Sequence, residues 1–104
     1  MSKNNINKLL SIMELLRDPV KGCPWDKKQT LESIIPHSIE EVYEVAEQIY
    51  NKDYPKLKDE LGDLLFQVIY LSQITKEKRK FTFNDVVNSI IKKMISRHPH
   101  VFKK

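Results

Sequence analysis

At 104 residues the chain has room for one domain, and a composition of 40% hydrophobic and 31% charged residues is a globular balance that excludes wholesale disorder. Two glycines and five prolines leave little material for a turn-rich β-sandwich or a flexible linker, and a single cysteine, Cys23, excludes an intrachain disulfide and fits a reducing compartment. No apolar run approaches the roughly 18–20 residues of a membrane span and the opening MSKNNINKLL lacks a secretory apolar core, so the expected protein is small, soluble, cytoplasmic and mostly helical.

In chain order, Ile6, Leu9, Leu10, Met13 and Leu16 recur at helical spacing and predict a first helix over residues 5–17, ended by Asp18-Pro19. KGCPWD (21–26) reads as a loop, and 30–35 as a short helical turn before Pro36. Ser38 is placed to cap a second helix running to about Asn51, with Glu41 at the capping-box position. Its apolar side is Ile39, Val42, Tyr43, Ala46, Ile49 and Tyr50, and Glu40, Glu41, Glu44 and Glu47 lie on the other. Asp53 caps a third helix with Pro55 in its first turn, continuing to about Glu77. After a turn at 78–82, Thr82 or Asn84 caps a fourth, with Val86, Val87, Ile90, Ile91, Met94 and Ile95 on one face and Pro99 as its stop. Four helices with short connections predict an all-α, four-helix bundle formed by residues 1–104 as a single domain. At this size the core is thin, so the apolar stripes invite self-association.

The net charge of +4 conceals a segregation: +3 over residues 1–31, −6 over 32–63, none over 64–75 and +7 over 76–104. An acidic centre between basic flanks suits a cation beside a polyanion better than it suits a nucleic-acid binder, which would show an unbroken basic face. From Leu61 to Thr75 the only charge is Asp63, in a segment apolar on nearly every side, which predicts burial. Glu60 and Asp63 share one stripe of it, and an unpaired buried carboxylate must be protonated, paired or bound to metal. Glu41 and Glu44 repeat the spacing on the second helix, with Glu40 beside them. Antiparallel packing can converge the two pairs on a hard cation such as Mg²⁺, which prefers oxygen ligands. A plain alternative stays open, that the glutamates of the second helix are its solvated face.

The same two-sided reading applies to the cations. Lys93 and Arg97, four apart on the last helix, are placed either to bind phosphate or to complement the helix dipole. Trp25, beside Lys27 and Lys28, offers a nucleotide a stacking surface, or else fills the core. His98 and His100 lack metal-ligand spacing and are expected to pack or hydrogen-bond, Cys23 to be a buried inert thiol, and Gly62 to mark close helix packing beside the acids. There is no GxxxxGK[ST], no G-x-S-x-G and no Glu-x-x-His pair of the kind a di-iron bundle uses.

Glu40-Glu41-x-x-Glu44 followed by Glu60-x-x-Asp63 resembles the EExxE…ExxD signature of the all-α, MazG-type nucleoside triphosphate pyrophosphohydrolases. LLRDPVKGCPWDKKQT (15–30), SIEEVYEV (38–45), DELGDLLFQVIY (59–70) and SRHPHVF (96–102) extend the resemblance over residues 6–102. It implies a helical domain whose core is completed by dimerisation, as a homodimer or higher homo-oligomer, without membrane or nucleic acid as partner. It implies Mg²⁺-dependent hydrolysis of a nucleoside triphosphate to monophosphate and pyrophosphate, by a metal-activated water attacking the α-phosphorus, with Mn²⁺ able to substitute. Residue by residue, it implies Glu41, Glu44, Glu60 and Asp63 as metal ligands, and Glu40 and Glu44 as catalytic carboxylates. Lys93, Arg97 and Lys56 are the implied substrate-binding residues, and Trp25 and Lys28 join them as substrate contacts on their own chemistry. Many relatives carry two copies of the domain, not necessarily equally active. The alternative expectation is therefore a catalytically weak, nucleotide-binding dimerisation or regulatory module.

Overall fold

A computed structural model describes residues 4–102, and among them there are five α-helices and no strand: α1 (Asn5–Leu16), α2 (Leu31–Tyr50), α3 (Tyr54–Glu77), α4 (Phe83–Arg97) and the single turn α5 (Pro99–Phe102). α2 and α3 form a long antiparallel pair, and α1 and α4 pack principally against α3. The four expected helices are present, with one correction, at the start of α2. α2 begins at Leu31, not after Ser38, because Thr30 and Ser33 form a reciprocal capping box that starts eight residues earlier. Pro36 therefore lies inside the helix, where its ring removes one backbone donor and leaves the exposed Glu32 carbonyl to solvent. Burial of Ile34 on the core side holds the turn together across that gap. Pro99 stops α4 as expected, since that helix ends at Arg97, and it then opens the single turn α5.

Thr82 is the N-cap of α4, again in a capping box, with Asp85. Asp53 caps α3 by accepting from the Lys56 N–H at 3.1 Å. Both interhelical turns carry a left-handed residue without being glycine, Lys52 (φ 54°) and Arg79 (φ 58°). Each sits in a Schellman turn. The Asp53 and Lys52 N–H groups reach the Gln48 and Ile49 carbonyls, and those of Lys80 and Arg79 reach Thr75 and Lys76.

The core is small and lies at one end. Met13 of α1, Ile34 of α2 and Ile69, Tyr70 and Ile74 of α3 are buried together, flanked by Leu9, Leu10, Leu31, Phe66, Leu71 and Phe83. Beyond it, the N-terminal half of α3 and the C-terminal half of α2 run as a two-helix arm. There the expectation of a third helix buried all round fails: Leu61, Leu65 and Val68 are 49%, 40% and 38% exposed, because nothing within the chain covers that side. Gly62 likewise faces open space rather than close packing.

The segment between α1 and α2 is tied down. Asp18 accepts from the Val20 and Lys21 N–H groups, and the backbone closes from Gly22 to Asp18 and from Cys23 to Leu16. Gly22 is required by close approach, since a Cβ there would strike the Asp18 and Leu16 carbonyls. Arg17, its side chain only 8% exposed, donates to the Asp26 and Gln29 carbonyls and pairs with Glu77 of α3 at 2.6 Å. Cys23 is half-buried rather than buried. His98 bonds through Nδ1 to the Met94 carbonyl at 2.7 Å, the packing role expected of it.

Candidate metal centre

Antiparallel pairing of α2 and α3 sets their facing residues in order. Ser38 Oγ donates to Gln67 Oε1 at 3.1 Å, and one turn further along each helix Glu41 meets Asp63 and Glu60. Glu41, Glu60 and Asp63 each bring one carboxylate oxygen to within 4.8 Å of the others. Like charges this close repel, and the site answers by holding protons. Burial, then the facing Glu60, with Asp63 and Glu44 adding to it, pushes the Glu41 carboxyl up to about 7. Asp63 is raised as well, first by burial and then by Glu60.

The buried acid is the one the sequence left most ambiguous. Glu41 Oε1 is out of contact with solvent and has no hydrogen-bond partner. Asp63, expected to be the buried one, is exposed, and Glu60 is half-buried. A buried, unpartnered oxygen on a carboxylate that clusters with two more fits a hard cation as its missing partner. The donor set is all oxygen, which suits Mg²⁺ or Mn²⁺ over softer metals.

The other expected site residues fall at varying distances from this group. Glu44, half-buried, lies near enough to raise Glu41 but is not among the three clustered oxygens, and Glu40 is exposed. Lys56, one turn before Glu60, is largely solvent-exposed with its Nζ 4.0 Å from Asp53. Lys93 and Arg97 are exposed on α4, which packs on α3 and α5, and neither makes an ion pair with the acids. Lys28 is exposed at the end of the turn Asp26–Lys28. Trp25 is not a core residue: it is 51% exposed, with its ring edge-on to His37 at 5.5 Å and to Tyr70 at 6.5 Å between centroids. His37 was not anticipated as a site residue, although it stands one helical turn before Glu41.

Comparison with known proteins agrees with this architecture. The MazG nucleotide pyrophosphohydrolase domain matches residues 29–102. A nucleoside triphosphate pyrophosphohydrolase of Escherichia coli is 52% identical over 99 residues, covering 95% of this chain and 38% of that protein. The nucleoside triphosphate pyrophosphohydrolase/pyrophosphatase MazG of Thermotoga maritima is 52% identical over 94 residues, covering 90% of this chain and 36% of its own length. This chain therefore spans well under half of those relatives. The crystal structure of a mazG-related protein from Thermotoga maritima superposes with a TM-score of 0.78 at 24% identity, over 94% of this chain and 83% of that one, which speaks to the fold. With its paired acidic helices and a family match running from Gln29 to Phe102, the chain belongs to the MazG nucleotide pyrophosphohydrolase domain family.

Proposed function

We propose that this chain hydrolyses nucleoside triphosphates to nucleoside monophosphate and pyrophosphate, in a Mg²⁺-dependent reaction in which Mn²⁺ can substitute. The observation that carries this reading is the half-buried Glu41 carboxylate, one oxygen of which is buried and unpartnered, clustered with Glu60 and Asp63. Glu41, Glu60 and Asp63 hold the cation, with Glu44 one turn along α2 completing the set. Bound Mg²⁺ supplies neutralising charge to phosphate oxygens and acidifies a water for attack at the α-phosphorus. Glu40 and Glu44 are the neighbouring carboxylates placed to take up its proton. Lys56, Lys93 and Arg97 stabilise the charge on the departing pyrophosphate, and Trp25 with Lys28 contacts the nucleoside end.

Because Lys93 and Arg97 make no ion pair with the acids within one chain, they enter this scheme from a second copy. The homodimer that this requires would also cover the exposed faces of α2, α3 and α4. A reducing cytoplasm suits both the lone Cys23 and such a substrate. Chromatographic analysis of products from separate triphosphates tests the reaction. Monophosphate and pyrophosphate should form with Mg²⁺, vanish with chelator, and fall about 100-fold or more in Asp63→Asn. Diphosphate and orthophosphate would overturn it. The lack of an ion pair between these cations and the acids also favours a second reading, a regulatory module that binds nucleotide without turnover. A folded protein that binds Mg²⁺-nucleotide and yields no product would establish that one instead.

A further inference from the structure

The line of facing residues along α2 and α3 does not end at the acids. Passing from Glu41 and Asp63 it continues through the Ser38–Gln67 hydrogen bond to His37, whose ring meets Trp25, which in turn meets Tyr70. Trp25 and His37 stand with their rings 77° apart, and both are exposed. An indole left half in water by a small protein would be unremarkable on a loose loop, but this loop is fixed. Tyr70, 2% exposed, donates its hydroxyl hydrogen to Asp26, whose carbonyl and Oδ1 both lie 2.9 Å away, and Arg17 holds the Asp26 and Gln29 carbonyls. The open face of Trp25 is thus built and held, which is how a binding surface is pre-organised.

Two rings near a right angle form a corner. A flat heteroaromatic base laid on one turns its edge to the other, and a neutral imidazole offers that edge one donor and one acceptor. His37 precedes Glu41 by four residues, about 6 Å along the helix axis, a span that a ribose and its 5′ carbon bridge. A cleft elsewhere, around Glu14, Arg17, Asp18, Lys27 and Glu77, is a poorer candidate, because its arginine is already spent on Glu77 and the loop carbonyls.

We propose that Trp25 and His37 form the nucleobase-recognition corner of the site, His37 being the residue that sets base preference and Tyr70 a positioning residue that acts through Asp26. This rests on the reading of the acidic group as the phosphate end of a nucleotide site. Trp25 is the only tryptophan in the chain, so its fluorescence reports on the corner alone.

The test compares Mg²⁺-nucleoside triphosphates with Mg²⁺-tripolyphosphate, which has phosphates and no base, by calorimetry and by Trp25 fluorescence. Nucleotides should move the fluorescence and bind at least about fivefold more tightly than tripolyphosphate, the low end of what base–aromatic stacking contributes. His37→Ala should level the preference among bases, and His37→Gln, which retains a donor and an acceptor, should restore part of it. Tyr70→Phe should weaken nucleotides selectively. All three should leave tripolyphosphate affinity within twofold, with circular dichroism as the check on folding. Nucleotides and tripolyphosphate binding alike, with fluorescence unmoved, would overturn the corner and leave the acidic site standing. Failure of both to bind with Mg²⁺ would overturn both.

Discussion

Glu41 concentrates the electrostatic tension of the molecule in one side chain. Its folded-state affinity for a proton is raised to about 7, against an ordinary value of 4.5, so its protonated form favours the fold. That contribution is fully present below about pH 4.5 and is lost as pH rises through 7. The metal-free protein should therefore melt at progressively lower temperature from pH 5 to pH 8, and Mg²⁺ should raise the melting temperature more at pH 8, where the ligands are ionised. Glu41→Gln should be about 1–2 kcal/mol more stable than the parent at pH 8 without metal, by removing an uncompensated buried charge, and should no longer respond to Mg²⁺. Thermal melts with and without chelator across that range decide the matter.

The two glycines make opposite predictions on the same scale. Gly22→Ala forces a methyl into two carbonyl oxygens, and urea titration should show a loss of at least about 2 kcal/mol. Gly62→Ala meets nothing within the chain and should gain roughly 0.8–1 kcal/mol of helix propensity in the monomer. If the proposed second copy packs closely on α3, the same change should weaken self-association instead.

At the scale of the element, α2 shows where local sequence signals compete. Two capping motifs lie in register, Thr30 with Ser33 and Ser38 with Glu41, and Pro36 stands between them as an apparent break. The earlier cap prevails because helix from Leu31 onward buries Ile34 in the core, and one missing hydrogen bond on the exposed side is a smaller loss. Ser38, freed from capping, reaches Gln67 instead. Replacing Thr30 with Ala should cost about 1 kcal/mol, whereas Ser38→Ala should leave the start of α2 unchanged by helical circular dichroism and amide exchange. The period-3.6 patterns of α1, α3 and α4 were readable because their caps and periodicities agree. The Schellman turns were not, since Lys52 and Arg79 occupy positions where glycine is the usual sign.

At the scale of the whole molecule, the single chain is too open for its length. Its radius of gyration is 16.2 Å, against about 13 Å for a compact domain of this size. Its accessible surface is 8302 Å², against roughly 6100 Å² by the usual scaling with mass. Exposed Ile39 and Val42 on α2, Leu61 and Leu65 on α3, and Ile90, Ile91 and Ile95 on α4 form the surplus, an apolar surface larger than monomers usually leave in water. Light scattering should give at least twice the 12.3 kDa of the chain, and the melting temperature should rise with concentration. Among the described residues no helix is long and apolar enough to cross a membrane.

The sequence by itself determined the all-helical class, the elements, the two acidic pairs and their three-residue spacing, because periodicity and capping are local properties that a chain carries wherever it goes. Tertiary structure alone decided which carboxylate has an oxygen cut off from solvent. The antiparallel register of α2 on α3 shields Glu41 Oε1 and leaves Asp63 exposed, and no spacing along one helix encodes that choice. It also decided that Trp25 stays half in water beside His37, since Arg17 and Tyr70 reach the loop from nine and 44 residues away from Asp26. Burial is a property of neighbours, and neighbours are set by packing.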